Sequence, residues 1–147
     1  MNPIKLIRNV AKSVIRMFVN YSSVSRVLDN LYVGDISLLE NRKIAIDLGI
    51  DFILDARFNF DSDNDDWEIN WNRLERFTDG AIRLLQEGYT IAIYCYGGID
   101  RSPFVTAVIL SKYRNLPFPK AYQIVMKKRP QTMWHGEWEL EYMNRKR

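Results

Sequence analysis

The stretch that most constrains this chain runs from Thr90 to Pro103. Thr90 to Tyr94 is a short apolar run with β-branched residues at Thr90, Ile91 and Ile93, which predicts a buried strand. Cys95-Tyr96-Gly97-Gly98-Ile99-Asp100-Arg101-Ser102 follows, and Pro103 falls where a first helical turn accepts proline. A strand that hands over to a helix through a glycine-bearing loop gathers several backbone N–H groups into one concavity. The helix dipole adds partial positive charge there, so the concavity suits a phosphate dianion. The same field favours the ionised form of a thiol at its entrance, where Cys95 stands. A lone cysteine at a strand end is most often a small buried hydrophobe, but here Arg101 lies six residues on, with a planar donor fork able to make paired bonds to phosphate oxygens.

The rest of the chain predicts an α/β fold, with a central, mostly parallel sheet flanked by helices. Leu31 to Gly34 reads as a short strand, Leu38 to Leu48 as a helix stopped by Gly49, and Phe52 to Leu54 as a buried strand. Asp61 to Asp66 reads as an acidic loop, followed by a helix from about Trp67 to Gln86 that Gly88 ends. Phe104 to Tyr113, Ala121 to Lys128 and Glu137 to Met143 read as three more helices, set apart by Pro117, Pro119 and Pro130. Strand and helix signals alternating at this spacing imply parallel strands under a helical cover.

Charge and composition narrow the function classes. Lys5, Arg8, Lys12, Arg16 and Arg26 all precede the first acidic residue, Asp29; taking these five from the 21 basic residues leaves 16 against 18 acids, so the body is near neutral. A nucleic-acid partner is therefore not expected. Ile4, Ile7, Val10, Ala11, Val14, Ile15 and Phe18 share one side of a basic amphipathic helix, expected over residues 1–21 and distinct from a body at 22–147. Packing on the body is the plain expectation for that helix, and peripheral contact with an anionic membrane or service as an organelle-targeting segment are the alternatives. The single cysteine excludes an intrachain disulfide and a thiolate-held structural zinc, and it suits a reducing cytoplasm. No apolar run approaches the length of a membrane span.

The loop resembles the Cys-x-x-Gly-x-x-Arg-Ser/Thr signature of the protein tyrosine phosphatase superfamily, and the whole chain is similar to its small dual-specificity branch. Val27 to Gly34 resembles the family's opening strand, Leu48 to Leu54 its next helix-to-strand step, and Ala121 to Pro130 the helix after the catalytic one. The resemblance implies a phosphatase of that fold acting on phosphoproteins without metal or other cofactor. It implies Cys95 as nucleophile, by way of a phosphocysteine, and Tyr96, Gly97, Gly98, Ile99, Asp100 and Arg101 as the phosphate-binding loop. It implies Ser102 as the hydrogen-bond donor to the departing thiolate, and an aspartate as general acid on a loop about thirty residues before the cysteine. Asp63 is the first choice for that acid, with Asp61, Asp65 and Asp66 as competitors. The same acidic run does not fit a calcium loop. Counted from Asp61, its sixth position is Asp66 where glycine is needed, and its twelfth is Asn72 where a glutamate is needed.

Two positions depart from the family pattern. The family places histidine before the cysteine, where it bonds within the loop and helps keep the thiol ionised; here Tyr94 stands there, and its hydroxyl is expected to supply a related bond. A phosphate-binding protein with little turnover is the corresponding alternative. Asp100, just before the arginine, resembles the loops of myotubularin-like and Sac-like lipid phosphatases, which makes a lipid substrate a second alternative. Against that, the loop holds no lysine or second arginine for a polyanionic headgroup. His135 is expected to be a plain turn residue, Trp134 and Trp138 packing residues, Arg129 a residue of the pocket rim, and Lys127 to Arg129 a solvated helix end. An activated thiolate with no cysteine partner should be inactivated by peroxide and recover with dithiothreitol.

Overall fold

The computed structural model describes residue 3, residues 23–63 and residues 66–146; the N-terminal amphipathic segment and the side chains of residues 63–66 lie outside that description. Chain order is β1 (Val24–Leu28), β2 (Leu31–Gly34), α1 (Ser37–Glu40), α2 (Arg42–Leu48), β3 (Phe52–Asp55), a 3-10 turn (Ala56–Asn59), β4 (Phe60–Asp63), β5 (Asp66–Ile69), α3 (Trp71–Gln86), β6 (Ile91–Tyr94), α4 (Arg101–Arg114), α5 (Phe118–Lys128) and α6 (Gly136–Arg145). One sheet has the order β1-β2-β6-β3, in which β1 runs antiparallel to β2 while β2 and β3 both run parallel to β6.

The central strand shows why the sheet forms. All four residues of β6 are buried, and period-two alternation divides them between two cores. Ile91 and Ile93 pack with Phe104, Val108 and Ile109 of α4, whereas Ala92 and Tyr94 join Leu38, Ile44 and Leu48 of α1 and α2. Full burial of such side chains stabilises by roughly 1.5–3 kcal/mol each. Helix α4 is buried from Ser102 to Leu110 without interruption, as a helix covered on all sides must be. The carboxyl end of β6, between two parallel neighbours, is where open α/β sheets place ligands, and Cys95 is the next residue.

Several sequence expectations need correction. The helix expected over Leu38 to Leu48 is two helices, because Asn41 leaves helical geometry and caps α2 by accepting from the Lys43 N–H; Gly49 does end it, in left-handed geometry at φ 66. Phe52 to Asp55 is an edge strand, so it is only partly covered, and Phe52 is 40% exposed against the edge of Tyr89. The acidic segment read as a loop lies on a β-hairpin: β4 and β5 pair antiparallel with Phe60 opposite Ile69, Ser62 opposite Trp67 and Asp63 opposite Asp66. Its aspartates oppose strand propensity, but Phe60 and Ile69 anchor the base of the hairpin in the core. Helix α3 therefore starts at Trp71, where the Asn70 side chain caps it by accepting from the Arg73 N–H. Among the described residues, no helix is long and apolar enough to cross a membrane.

Candidate active site

Cys95 leaves β6 almost fully buried, and its N–H donates to the Gly34 carbonyl at 3.3 Å. That carbonyl also accepts the Ser102 hydroxyl at 3.0 Å, and the Ser102 oxygen is 3.2 Å from the Cys95 sulfur. Ser102 has one proton for two acceptors. In this arrangement it gives that proton to Gly34 and accepts from the thiol, whereas a thiolate would draw it round. Gly98 turns the loop at φ +63, and a β-carbon there would lie 2.6 Å from the Arg129 guanidinium and 2.8 Å from Gly34 backbone, so only glycine fits. Among the described residues, no backbone hydrogen bond uses the N–H groups of Tyr96 to Asp100. Together with the N-terminus of α4 they supply the kind of unused donors that an anion cradle needs.

Arg101 opens α4, its guanidinium carbon 4.2 Å from the centre of the Trp67 ring and its buried Nε without a hydrogen-bond partner among the described residues. An arginine held on an indole with donors unused is poised for an oxyanion. Sequence reasoning missed Trp67, which it assigned to a helix; strand β5 instead carries it to the loop. The same hairpin carries the acid candidates. The Asp63 backbone pairs at the described end of β4, while its side chain, like those of Asp65 and Asp66, lies outside the described residues. Asp61 is engaged elsewhere, accepting from Arg73 and Asn70 at 3.2 Å each.

Three further residues bear on the loop. His135 is not a plain turn residue: Nε2 lies 2.7 Å from an Asp100 oxygen, Nδ1 lies 2.8 Å from Glu137, and the ring stacks on Trp138 at 3.7 Å. This contact draws Asp100 toward the imidazole and holds the Glu137 carboxyl below its usual range through the hydrogen bond. Arg129 is neither at a rim nor solvated. It is 1% exposed, and its Nε donates to the Gly98 carbonyl at 2.6 Å while Nη1 donates to Ser25 at 3.0 Å. Burial draws its guanidinium down from its ordinary value, with Asp35 and Cys95 opposing the shift. Tyr94 does not replace the missing histidine. Its side chain lies in the opposite core and interacts with Asp55 and Arg57, and burial, with Asp55, pushes its hydroxyl pKa up. Of the two tryptophans expected to pack, Trp138 is buried, whereas Trp134 is 57% exposed with its indole N–H on Glu139. The signal for Arg129 was its place directly before Pro130 at a helix end; nothing in the sequence pointed from His135 to Asp100.

Comparison with known proteins puts this geometry in context. No protein-family model matches the chain. Human dual-specificity protein phosphatase 9 is 29% identical to it over 71% of this chain, and the chain spans only 31% of that relative's length. A mouse protein described as a dual-specificity phosphatase and solved with zinc tungstate superposes with a TM-score of 0.68 at 18% identity, over 78% of this chain and 80% of its own. The fold is that of the small dual-specificity phosphatases. PTPMT1 in complex with PI(5)P shares it too, with a TM-score of 0.62 at 13% identity over 76% of this chain and 86% of that one. The dual-specificity resemblance read from the loop is thus borne out in sequence and in fold, and the loop of this chain occupies the carboxyl end of its central strand.

Proposed function

We propose that this chain is a cysteine-dependent phosphatase of phosphotyrosine, and of phosphoserine or phosphothreonine, in proteins. The observation that carries this reading is the Cys95 sulfur 3.2 Å from the Ser102 oxygen, at the entrance of a loop whose N–H groups and whose Arg101 Nε have no hydrogen-bond partner among the described residues. The Cys95 thiolate attacks phosphorus and the bond to the leaving oxygen breaks. Arg101 and the loop amides stabilise the charge that builds on the equatorial oxygens. A carboxylic acid on the hairpin, Asp63 in the first instance, gives its proton to the leaving oxygen. Water then attacks the phosphocysteine, the same carboxylate takes its proton, and the sulfur departs as a thiolate that Ser102 turns to meet.

The measurement is vanadate-sensitive turnover of p-nitrophenyl phosphate in EDTA, with Cys95→Ser expected to abolish turnover while retaining phosphopeptide binding. Absence of turnover across a range of pH would leave a phosphate-binding protein, a reading that gains from Tyr94 turning away from the loop. A lipid substrate has the structural neighbour bound to PI(5)P in its favour. Turnover of phosphoinositides exceeding that of phosphopeptides would establish it.

A further inference from the structure

A groove of about 630 Å³ opens beside the phosphate loop, between β5 and the start of α6. Trp67, Trp71 and Trp138 give it apolar walls, and Glu68, Glu137 and Glu141 bring three carboxylates; among the described residues no lysine or arginine lines it, although Arg101 lies over the Trp67 ring and Arg145 over that of Trp71. Two contacts tie the groove to the loop. Trp67 stacks on Arg101, and His135, which also lines the groove, bonds Asp100. Glu137 is engaged by His135, whereas the exposed Glu68 and Glu141 make no ion pair among the described residues.

A phosphopeptide seated in the loop meets Arg101 with its phosphate and brings its neighbouring side chains past Trp67. An acidic neighbour would face three like charges there. A lysine or arginine would face opposite charges, of which those of Glu68 and Glu141 make no ion pair among the described residues. Exposed Tyr96 and Ile99, at 67% and 38%, add apolar surface at the loop mouth that favours a chain over a small solute.

We propose that the groove is a specificity subsite selecting phosphopeptides with lysine or arginine close to the phosphorylated residue. The proposal rests on the phosphatase reading above and is tested apart from it. The full chain carrying Cys95→Ser is titrated, by fluorescence anisotropy, against phosphotyrosine peptides of matched length with basic or acidic flanks. The basic peptide is expected to bind about tenfold more tightly at low salt, as two or three exposed charge pairs would give. That advantage should shrink in high salt and fall to about twofold or less when Glu68→Gln and Glu141→Gln are added. Equal affinities, an acidic preference, or a basic preference that survives in the double variant would each overturn the subsite. So would equal binding of the unphosphorylated basic peptide. A dimer of this chain lost in the double variant would assign the groove to a second copy and overturn the proposal as well. Turnover of p-nitrophenyl phosphate, too small to reach the groove, should be unchanged by the two glutamine substitutions. Its absence in the wild type would count against the phosphatase reading alone.

Discussion

Behind the Cys95–Arg101 loop the inner supports are buried: the Gly34 carbonyl holds Cys95 and Ser102, and Arg129 holds Gly98 with 1% of its surface exposed. The hairpin β4–β5 reaches the same site on exposed arms, secured by Phe60 and Ile69 at its base, the half-exposed Asp61–Arg73 pair and the stacking of Trp67 on Arg101. Exposed ion pairs and cation–π contacts contribute about 1 kcal/mol or less each, whereas a lost buried hydrogen bond costs about 1–3 kcal/mol. The proposed nucleophile, Cys95, is therefore built into the core, and the proposed clamp, Arg101, starts the buried helix α4. The acid candidates sit on a part that is cheap to alter and has little effect on stability.

That contrast can be broken most sharply at Arg101, where the two regions touch. Arg101→Lys keeps the charge but loses the fork, and turnover should fall about 10²–10³-fold. Stability in urea should shift by about 1 kcal/mol or less, since its Nε makes no hydrogen bond among the described residues. Next in size is Gly98→Ala, which meets both a left-handed φ and backbone 2.8 Å away. A loss of about 2–4 kcal/mol in urea unfolding is expected, and a neutral result would show the loop to be far more yielding than its buried supports imply.

The hairpin should behave in the opposite way. Asp63→Asn should leave stability within about 0.5 kcal/mol while slowing alkyl phosphates by about 10²-fold and p-nitrophenyl phosphate far less, because a good leaving group needs little protonation. If Asp65→Asn or Asp66→Asn shows that pattern and Asp63→Asn does not, the acid moves along the hairpin. The smallest effect belongs to Asp55. Burial raises its carboxyl, but bonds from the Arg57 side chain and N–H outweigh this and hold it below its ordinary value. A lowered folded-state pKa stabilises above the unfolded value and is lost as pH falls through the folded one. Asp55→Asn should flatten the acid limb of the stability curve by less than about 1 kcal/mol, the pair being 37% exposed on both sides.

Much of the core was legible from residues alone, because β6, Gly49 and the Cys95 to Arg101 spacing are local signals that the tertiary fold reinforces. Gly98 was legible as a loop glycine, though not why it must be one; that reason lies in Arg129 and Gly34, far away in the chain. The hairpin was hidden by its aspartates. Charged strand residues are tolerable where, like Asp61 and Glu68, they face solvent, and Phe60 and Ile69 paired across the base tie the hairpin to the core. The edge position of β3 and the contacts of Tyr94 and His135 depend on which neighbours the topology supplies. An alternating pattern reports a face but not what covers it.

The supports of the loop span 31 residues from Arg129 to Gly98, 68 from Ser102 to Gly34 and 104 from Arg129 to Ser25. Contacts so distant in sequence carry the largest closure entropy and form when most of the chain is already in place. The loop is thus a product of global folding rather than a preformed local motif. After dilution from denaturant, activity should return with the last cooperative phase, when β1, β2 and the end of α5 have met behind Cys95.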